Sequence, residues 1–204
     1  MKNPLIQIVP TLSKEELRSV NLFCESNSQK KTKCTVFSGN SYKEDTSVRS
    51  SEGFTLTEGN SVTDLIGNSI NKALLEYRDR LQAVHPSLTH YTLAPGAVGT
   101  MSHREGIQIL EYTPGQQYKF HYDQNWDRNS NEFYRTISVV LYLTSDFEGG
   151  GTEFADAVYK PQPGEALIFP SSWCFPHSGQ TVTSGLKRVA VTWYYVYPAM
   201  QTNG

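Results

Sequence analysis

His121 and Asp123 are separated by a single residue, and His177 follows them later in the chain. On an extended strand, side chains two apart point to the same side. His121 and Asp123 can therefore offer an imidazole nitrogen and a carboxylate oxygen to one point in space. A lone His-x-Asp is common and is usually a satisfied surface pair. Two histidines with one carboxylate are more specific, because they form the facial ligand set of non-haem iron(II). Three protein ligands on one octahedral face leave three positions open. A chelating 2-oxo acid takes two of them and dioxygen takes the last. A fourth protein ligand would block that arrangement, so His121, Asp123 and His177 are read as the metal ligands and the catalytic centre.

A 2-oxo diacid also needs a cation for its distal carboxylate. The stretch after His177 reads SGQTVTSGLKRVAVTWYY and supplies two adjacent candidates. Lys187, Val189, Val191 and Trp193 share one face of a strand; Arg188, Ala190 and Thr192 share the other. Only one of the two cations can point inward. The apolar partners of Lys187 favour it, with its burial offset by a bound carboxylate. Arg188 remains the alternative if the register is off by one.

These groups must be positioned by β-structure. After residue 106 the chain reads as short strands near 107–112, 118–123, 136–143, 152–154, 165–169 and 187–197. Pro114-Gly115, Gly149-Gly150-Gly151 and Pro163-Gly164 separate them. No helical pattern intervenes, which argues against a parallel α/β sheet and for a sandwich or barrel. The three glycines signal a turn or bulge rather than a phosphate loop, since no helix follows.

The N-terminal half differs. Residues 11–27 read as an amphipathic helix with Leu17, Val20 and Phe23 on one face. Ser13 and Glu16 make a capping box. Residues 28–60 are polar and loop-like with short strands. Residues 61–84 form a second helix, striped from Val62 to Val84, with Ser61 and Asp64 at its start and Pro86 beyond its end. The expected fold class is mostly β with supporting helices, as one domain over 1–204. Residues 1–100 give helical and loop support, and 101–200 give the core.

Composition narrows the function. With 204 residues, 38% hydrophobic and a net charge of −2, the chain is an ordinary globular sequence without a basic face for nucleic acid. The tyrosines, 12 in all, crowd the second half and favour strands there. Three cysteines, Cys24, Cys34 and Cys174, make no disulfide framework and read as reduced thiols. Residues 1–20 hold no secretory h-region, and no segment is long and apolar enough to span a membrane. The expectation is a soluble, intracellular protein without nucleic-acid or membrane partners.

Several ordered motifs resemble the prolyl 4-hydroxylase-like branch of the 2-oxoglutarate and iron(II)-dependent dioxygenases. They are Y-x-x-G-x-x-Y-x-x-H-x-D from Tyr112 to Asp123, R-x-x-S-x-x-x-Y-L from Arg135 to Leu143, and EGGGTEF at 148–154. P-x-x-G-E-A-L-I-F at 161–169, H-x-G at 177–179 and G-x-K ending at Lys187 follow, with Trp193 six residues on. VRSSEGFTL at 48–56 is similar to the family's Arg-x-Ser segment. The resemblance implies a double-stranded β-helix, or jelly roll, with helices packed on one sheet. It implies iron on His121, Asp123 and His177, and the distal 2-oxoglutarate carboxylate on Lys187. Tyr112 and Thr152 resemble cosubstrate contacts, and Tyr142 is a further candidate. Tyr118, Arg135 and Trp193 resemble positions lining the substrate groove. The segment 124–134 resembles the family's mobile lid.

The implied reaction is hydroxylation of a C–H bond, foremost C4 of a peptidyl proline, with release of succinate and carbon dioxide. Iron(II), 2-oxoglutarate and dioxygen are the implied cofactors, with ascorbate as a supporting reductant and a proline-containing peptide or protein as partner. Two alternatives stand beside it. One is the same chemistry on another side chain, a free amino acid or a small molecule. The other is a non-catalytic β-barrel binding module.

Overall fold

A computed structural model describes residues 3–38, 41–84, 86, 103–124 and 134–196. The chain opens with β1 (Gln7–Pro10) and α1 (Lys14–Ser26), followed by β2 (Thr32–Lys33), β3 (Val36–Ser38), β4 (Ser41–Lys43) and β5 (Glu52–Thr55). Helix α2 (Ser61–Val84) precedes β6 (His103–Arg104), β7 (Gln108–Tyr112), β8 (Tyr118–His121) and β9 (Tyr134–Tyr142). Then come β10 (Phe147–Gly149), β11 (Thr152–Phe154), β12 (Val158–Tyr159) and β13 (Glu165–Pro170). The last three strands are β14 (His177–Gly179), β15 (Val182–Gly185) and β16 (Lys187–Val196).

All the pairings are antiparallel. The major sheet runs β1-β13-β9-β16-β7-β5-β2, with β6 added beside β16. The minor sheet runs β12-β11-β14-β8, and β10 pairs with β15. This is the jelly-roll architecture the resemblance implies, a form of the sandwich or barrel expected from the strand pattern, with α1 and α2 as buttress. Side chains alternate across the major sheet as the period of two requires. Ile109, Val139, Leu141 and Ala190 meet Val20, Ile66, Ile70, Leu74 and Tyr77 of the helices. Leu110, Tyr112, Tyr142, Val189 and Val191 face the opposite way, toward the minor sheet. Burial of the first set on the helices leaves the second set free to shape an interior cavity.

Helix α1 has the predicted capping box: Ser13 Oγ accepts from the Glu16 amide, and the Glu16 carboxylate accepts from the Ser13 amide. The start of α2 differs from the expectation. Ser61 is already helical, and the cap is Asn60, whose Oδ1 accepts from the Val62 amide. The apolar stripe of α2 also ends before Val84, which is exposed because the helix outruns the sheet it covers. Strand β1 carries no clear sequence pattern. It is made a strand by pairing with β13 rather than by its own alternation. Gly149 and Gly150 both have positive φ, 68° and 63°, at a register shift between β10 and β15. They form the expected bulge, a conformation open to glycine at little cost.

Candidate active site

His121 ends β8 and His177 begins β14, and the two are directly opposed across the minor sheet. Their ring centroids lie 4.4 Å apart. His177 is further wedged between Phe154 and Phe169, at 5.4 and 4.7 Å. Each imidazole is oriented from behind: Nδ1 of His121 lies 2.7 Å from the Lys119 carbonyl and Nδ1 of His177 lies 3.2 Å from the Phe175 carbonyl. A carbonyl only accepts, so Nδ1 carries the proton and Nε2 presents a lone pair. Both Nε2 atoms face Asp123, at 3.4 Å from Oδ1 for His121 and 3.7 Å from Oδ2 for His177.

Asp123 does not sit on the strand, contrary to the extended 118–123 expected from sequence. Strand β8 stops at His121. The chain then bends toward the major sheet, where Ser138 donates to Asp123 Oδ2 at 2.6 Å and the Gln124 amide donates to the Ser171 carbonyl at 2.9 Å. The bend still brings the carboxylate to the histidines, and the three ligand atoms lie within 4.8 Å of one another. Ligand atoms about 2.1 Å from one cation and at right angles would be about 3 Å apart, close to the 3.4 and 3.7 Å carboxylate–imidazole separations, so the group can draw in around one metal ion.

The electrostatics suit the same role. Burial works against the Asp123 carboxylate, but His177, His121 and the Ser138 hydroxyl outweigh it and hold the carboxyl well below the usual range. Burial pushes His177 down to about 4 against the pull of Asp123. At neutral pH the cluster is therefore an ionised carboxylate with a neutral His177, as metal ligation requires.

A cavity of about 920 Å³ opens on the cluster. Lys187, Tyr112 and Thr152 line it together with the two histidines and Asp123. Lys187 is directly opposite Tyr112 on the neighbouring strand, and its Nζ lies 5.0 Å from the Tyr112 ring and 5.3 Å from the Tyr142 ring. Lys187 is only 3% exposed, and no carboxylate among the described residues pairs with it. Burial, with Lys160 adding to it, lowers its pKa to about 7. Tyr142 lies one layer back: it does not line the cavity, and its hydroxyl shares a 2.8 Å hydrogen bond with Thr152 Oγ1. Arg188 points to the helix side, where Nε donates to Glu111 at 2.8 Å and Nη1 to Asn21 at 2.8 Å.

Tyr118, Arg135 and Trp193 also line the cavity. Tyr118 stacks on His121 at 3.6 Å, and burial pushes its phenol up to about 12. Arg135 lies 3.9 Å over the Trp193 ring and makes a bidentate ion pair with Glu105, at 2.5 and 2.7 Å. Glu105 carries no sequence signal of its own and is recognisable only from this pairing. Arg49, from the Arg-x-Ser segment, is buried beside Tyr118, 4.9 Å from its ring, and lines the cavity. Ser138, noticed in sequence only as part of a motif, is the partner of Asp123. Most of the segment 124–134, read as a lid, lies outside the described residues.

The antiparallel jelly roll carries a two-histidine, one-carboxylate cluster of the kind that can hold non-haem iron(II). Residues 107–196 match the sequence model of the 2OG-Fe(II) oxygenase superfamily. The chain is 35% identical over 107 residues to a putative prolyl 4-hydroxylase of Acanthamoeba polyphaga mimivirus, covering 44% of each chain. It is 27% identical over 218 residues to probable prolyl 4-hydroxylase 10 of Arabidopsis thaliana, covering 91% of this chain and 66% of the plant protein. The chain thus spans less than two thirds of the length of these two relatives. In fold it resembles the viral collagen prolyl hydroxylase of Paramecium Bursaria Chlorella virus-1, solved with 2OG. The TM-score is 0.65 at 21% identity, over 94% of this chain and 96% of that one. A prolyl hydroxylase of Trichoplax adhaerens, solved with a hypoxia inducible factor peptide fragment, superposes with a TM-score of 0.67 at 16% identity, covering 95% and 84%.

Proposed function

We propose that this protein hydroxylates a peptidyl proline at C4, consuming dioxygen and 2-oxoglutarate and releasing succinate and carbon dioxide. The observation that carries the reading is Lys187: a buried amine with no anionic partner among the described residues, in the same cavity as His121, Asp123 and His177. An isolated buried cation is costly, and a bound carboxylate removes that cost. His121, Asp123 and His177 would hold iron(II) through two Nε2 atoms and one carboxylate oxygen. Bound iron(II) would supply the activation of dioxygen and the oxidative decarboxylation of 2-oxoglutarate.

The chain's own residues do the rest. Lys187 receives the distal carboxylate of 2-oxoglutarate, and Tyr112 and Thr152 frame it. Tyr142 holds the Thr152 hydroxyl in place. Tyr118 and Trp193 line the groove for the pyrrolidine ring, and Arg135, held over Trp193 by Glu105, faces the peptide. No general base is needed, since the carbon–hydrogen bond is not broken by proton abstraction. The unpaired cysteines Cys24, Cys34 and Cys174 fit a reducing, intracellular setting, and no described helix is long and apolar enough to cross a membrane.

The test is incubation of the protein with iron(II), 2-oxoglutarate, ascorbate and a library of proline-containing peptides, read by mass spectrometry. The expected result is addition of one oxygen to proline, with succinate formed in equal amount. Oxygen addition to a free amino acid, with every peptide untouched, would replace the prolyl substrate. Absence of 2-oxoglutarate binding would remove the oxygenase reading altogether.

A further inference from the structure

We propose that Ser171 and Ser138 form a two-hydroxyl relay that selects which oxygen of Asp123 faces the metal, making Ser138 a positioning residue for metal binding. The proposal rests on His121, Asp123 and His177 being the metal ligands.

Ser138 lies on β9 in the centre of the major sheet, with β13 on one side and β16 on the other. It is opposed by Phe169 and Trp193 and is 1% exposed. A buried serine among the apolar residues of TISVVLYL could be an alanine without loss of packing, so its hydroxyl needs a reason. That hydroxyl lies 2.6 Å from Asp123 Oδ2. An ionised carboxylate only accepts, so Ser138 spends its single proton there. The Ser171 hydroxyl lies 2.8 Å from Ser138 Oγ and must then be the donor of that second bond. Each donor in such a chain polarises the next.

Ser171 is itself held firmly. It is 1% exposed, its amide donates to the Thr136 carbonyl, and its carbonyl accepts from the amide of Gln124, next to Asp123. The relay therefore fixes both the carboxylate and the chain that carries it. Both oxygens face a histidine, Oδ1 at 3.4 Å from His121 Nε2 and Oδ2 at 3.7 Å from His177 Nε2, but Oδ2 alone also accepts from Ser138, which leaves Oδ1 the freer donor for the metal. A hydrogen bond to one carboxylate oxygen draws on its lone-pair density and so favours metal binding through the other. Binding through both would occupy a coordination position that the cosubstrate requires.

The experiment uses this protein, stripped of metal and titrated with cobalt(II), whose visible absorption reports affinity and coordination number. Ser138→Ala is expected to weaken cobalt(II) binding by roughly 10- to 100-fold and to change the spectrum, as losses of groups behind metal ligands do. Ser171→Ala should weaken it less, about three- to tenfold, with a spectral change in the same direction. Ser138→Thr, which keeps the hydroxyl, should bring both readouts back toward the original protein. A folded Ser138→Ala protein with unchanged affinity and spectrum overturns the relay. Should Ser138→Ala fail to fold, Ser171→Ala decides in the same way. Asp123→Ala is the separate control: cobalt(II) binding unaffected by it would overturn the metal-ligand reading itself, whatever the serine variants do.

Discussion

Lys187 and Arg188 are neighbours in sequence and stand on opposite faces of the major sheet. Lys187 lies in the cavity beside Tyr112, while Arg188 is buried against Glu111 and Asn21 on the helix side. Replacing each should therefore have a different signature. Lys187→Ala should raise the KM for 2-oxoglutarate on the order of 10- to 100-fold, the worth of a hydrogen bond to a charged group. Arg188→Ala should leave that KM within about twofold and cost about 3 kcal/mol of stability, because Glu111 keeps only Lys31. Steady-state kinetics and thermal unfolding separate the two. A large KM effect from Arg188→Ala alone would reverse the assignment.

Lys187 also sets a pH dependence. Its pKa is lowered by burial, and further by Lys160, to about 7. A bound carboxylate favours the ammonium, so above that pH binding must be accompanied by proton uptake. Affinity for 2-oxoglutarate should fall as pH rises from about 7 toward 10 and level off below. Over the same window an unfolded lysine keeps the proton that the folded protein has lost, so this group makes stability rise with pH there. Calorimetric titration at about pH 8, in buffers of different ionisation enthalpy, should show close to one proton taken up. Lys187→Met should show none.

Metal removal gives a third prediction. Stripping the protein with a chelator should abolish turnover, and iron(II) should restore it. Zinc should bind more tightly and inhibit, because the affinity order of divalent metals places it above iron(II). Asp123→Ala should not be rescued by iron(II) at any concentration used. Succinate formation and metal content by mass spectrometry check all three outcomes.

The ion pair between Arg135 and Glu105 should tune peptide binding rather than cosubstrate binding. Glu105→Gln weakens the bidentate grip that holds the guanidinium over Trp193. The expected result is a rise of about three- to tenfold in peptide KM, with the 2-oxoglutarate KM little changed. Equal rises in both would mean that the pair supports the whole cavity instead.

Local pattern was legible wherever a residue's environment repeats along the chain. The second helix, 61–84, matches α2, and 152–154 and 165–169 fall on β11 and β13, because periodicity reports directly on which face is buried. The cap of α2 lies one residue before the expected Ser61, since asparagine and serine at 60 and 61 are both good caps and only the backbone decides between them. Strand β1 escaped notice because its order comes from β13, far along the chain.

Sequence alone determined the chemistry on offer: two histidines and a carboxylate at the right kind of spacing, and an inward lysine chosen over its neighbouring arginine by strand alternation. Those features are local, and a period of two is enough to read them. Only the tertiary structure decided that Asp123 leaves its strand to meet Ser138, that Ser171 stands behind Ser138, and that Glu105 holds Arg135. Each of these contacts joins separate segments of the chain, and their partners are selected by sheet register and chain bending, which no local pattern encodes.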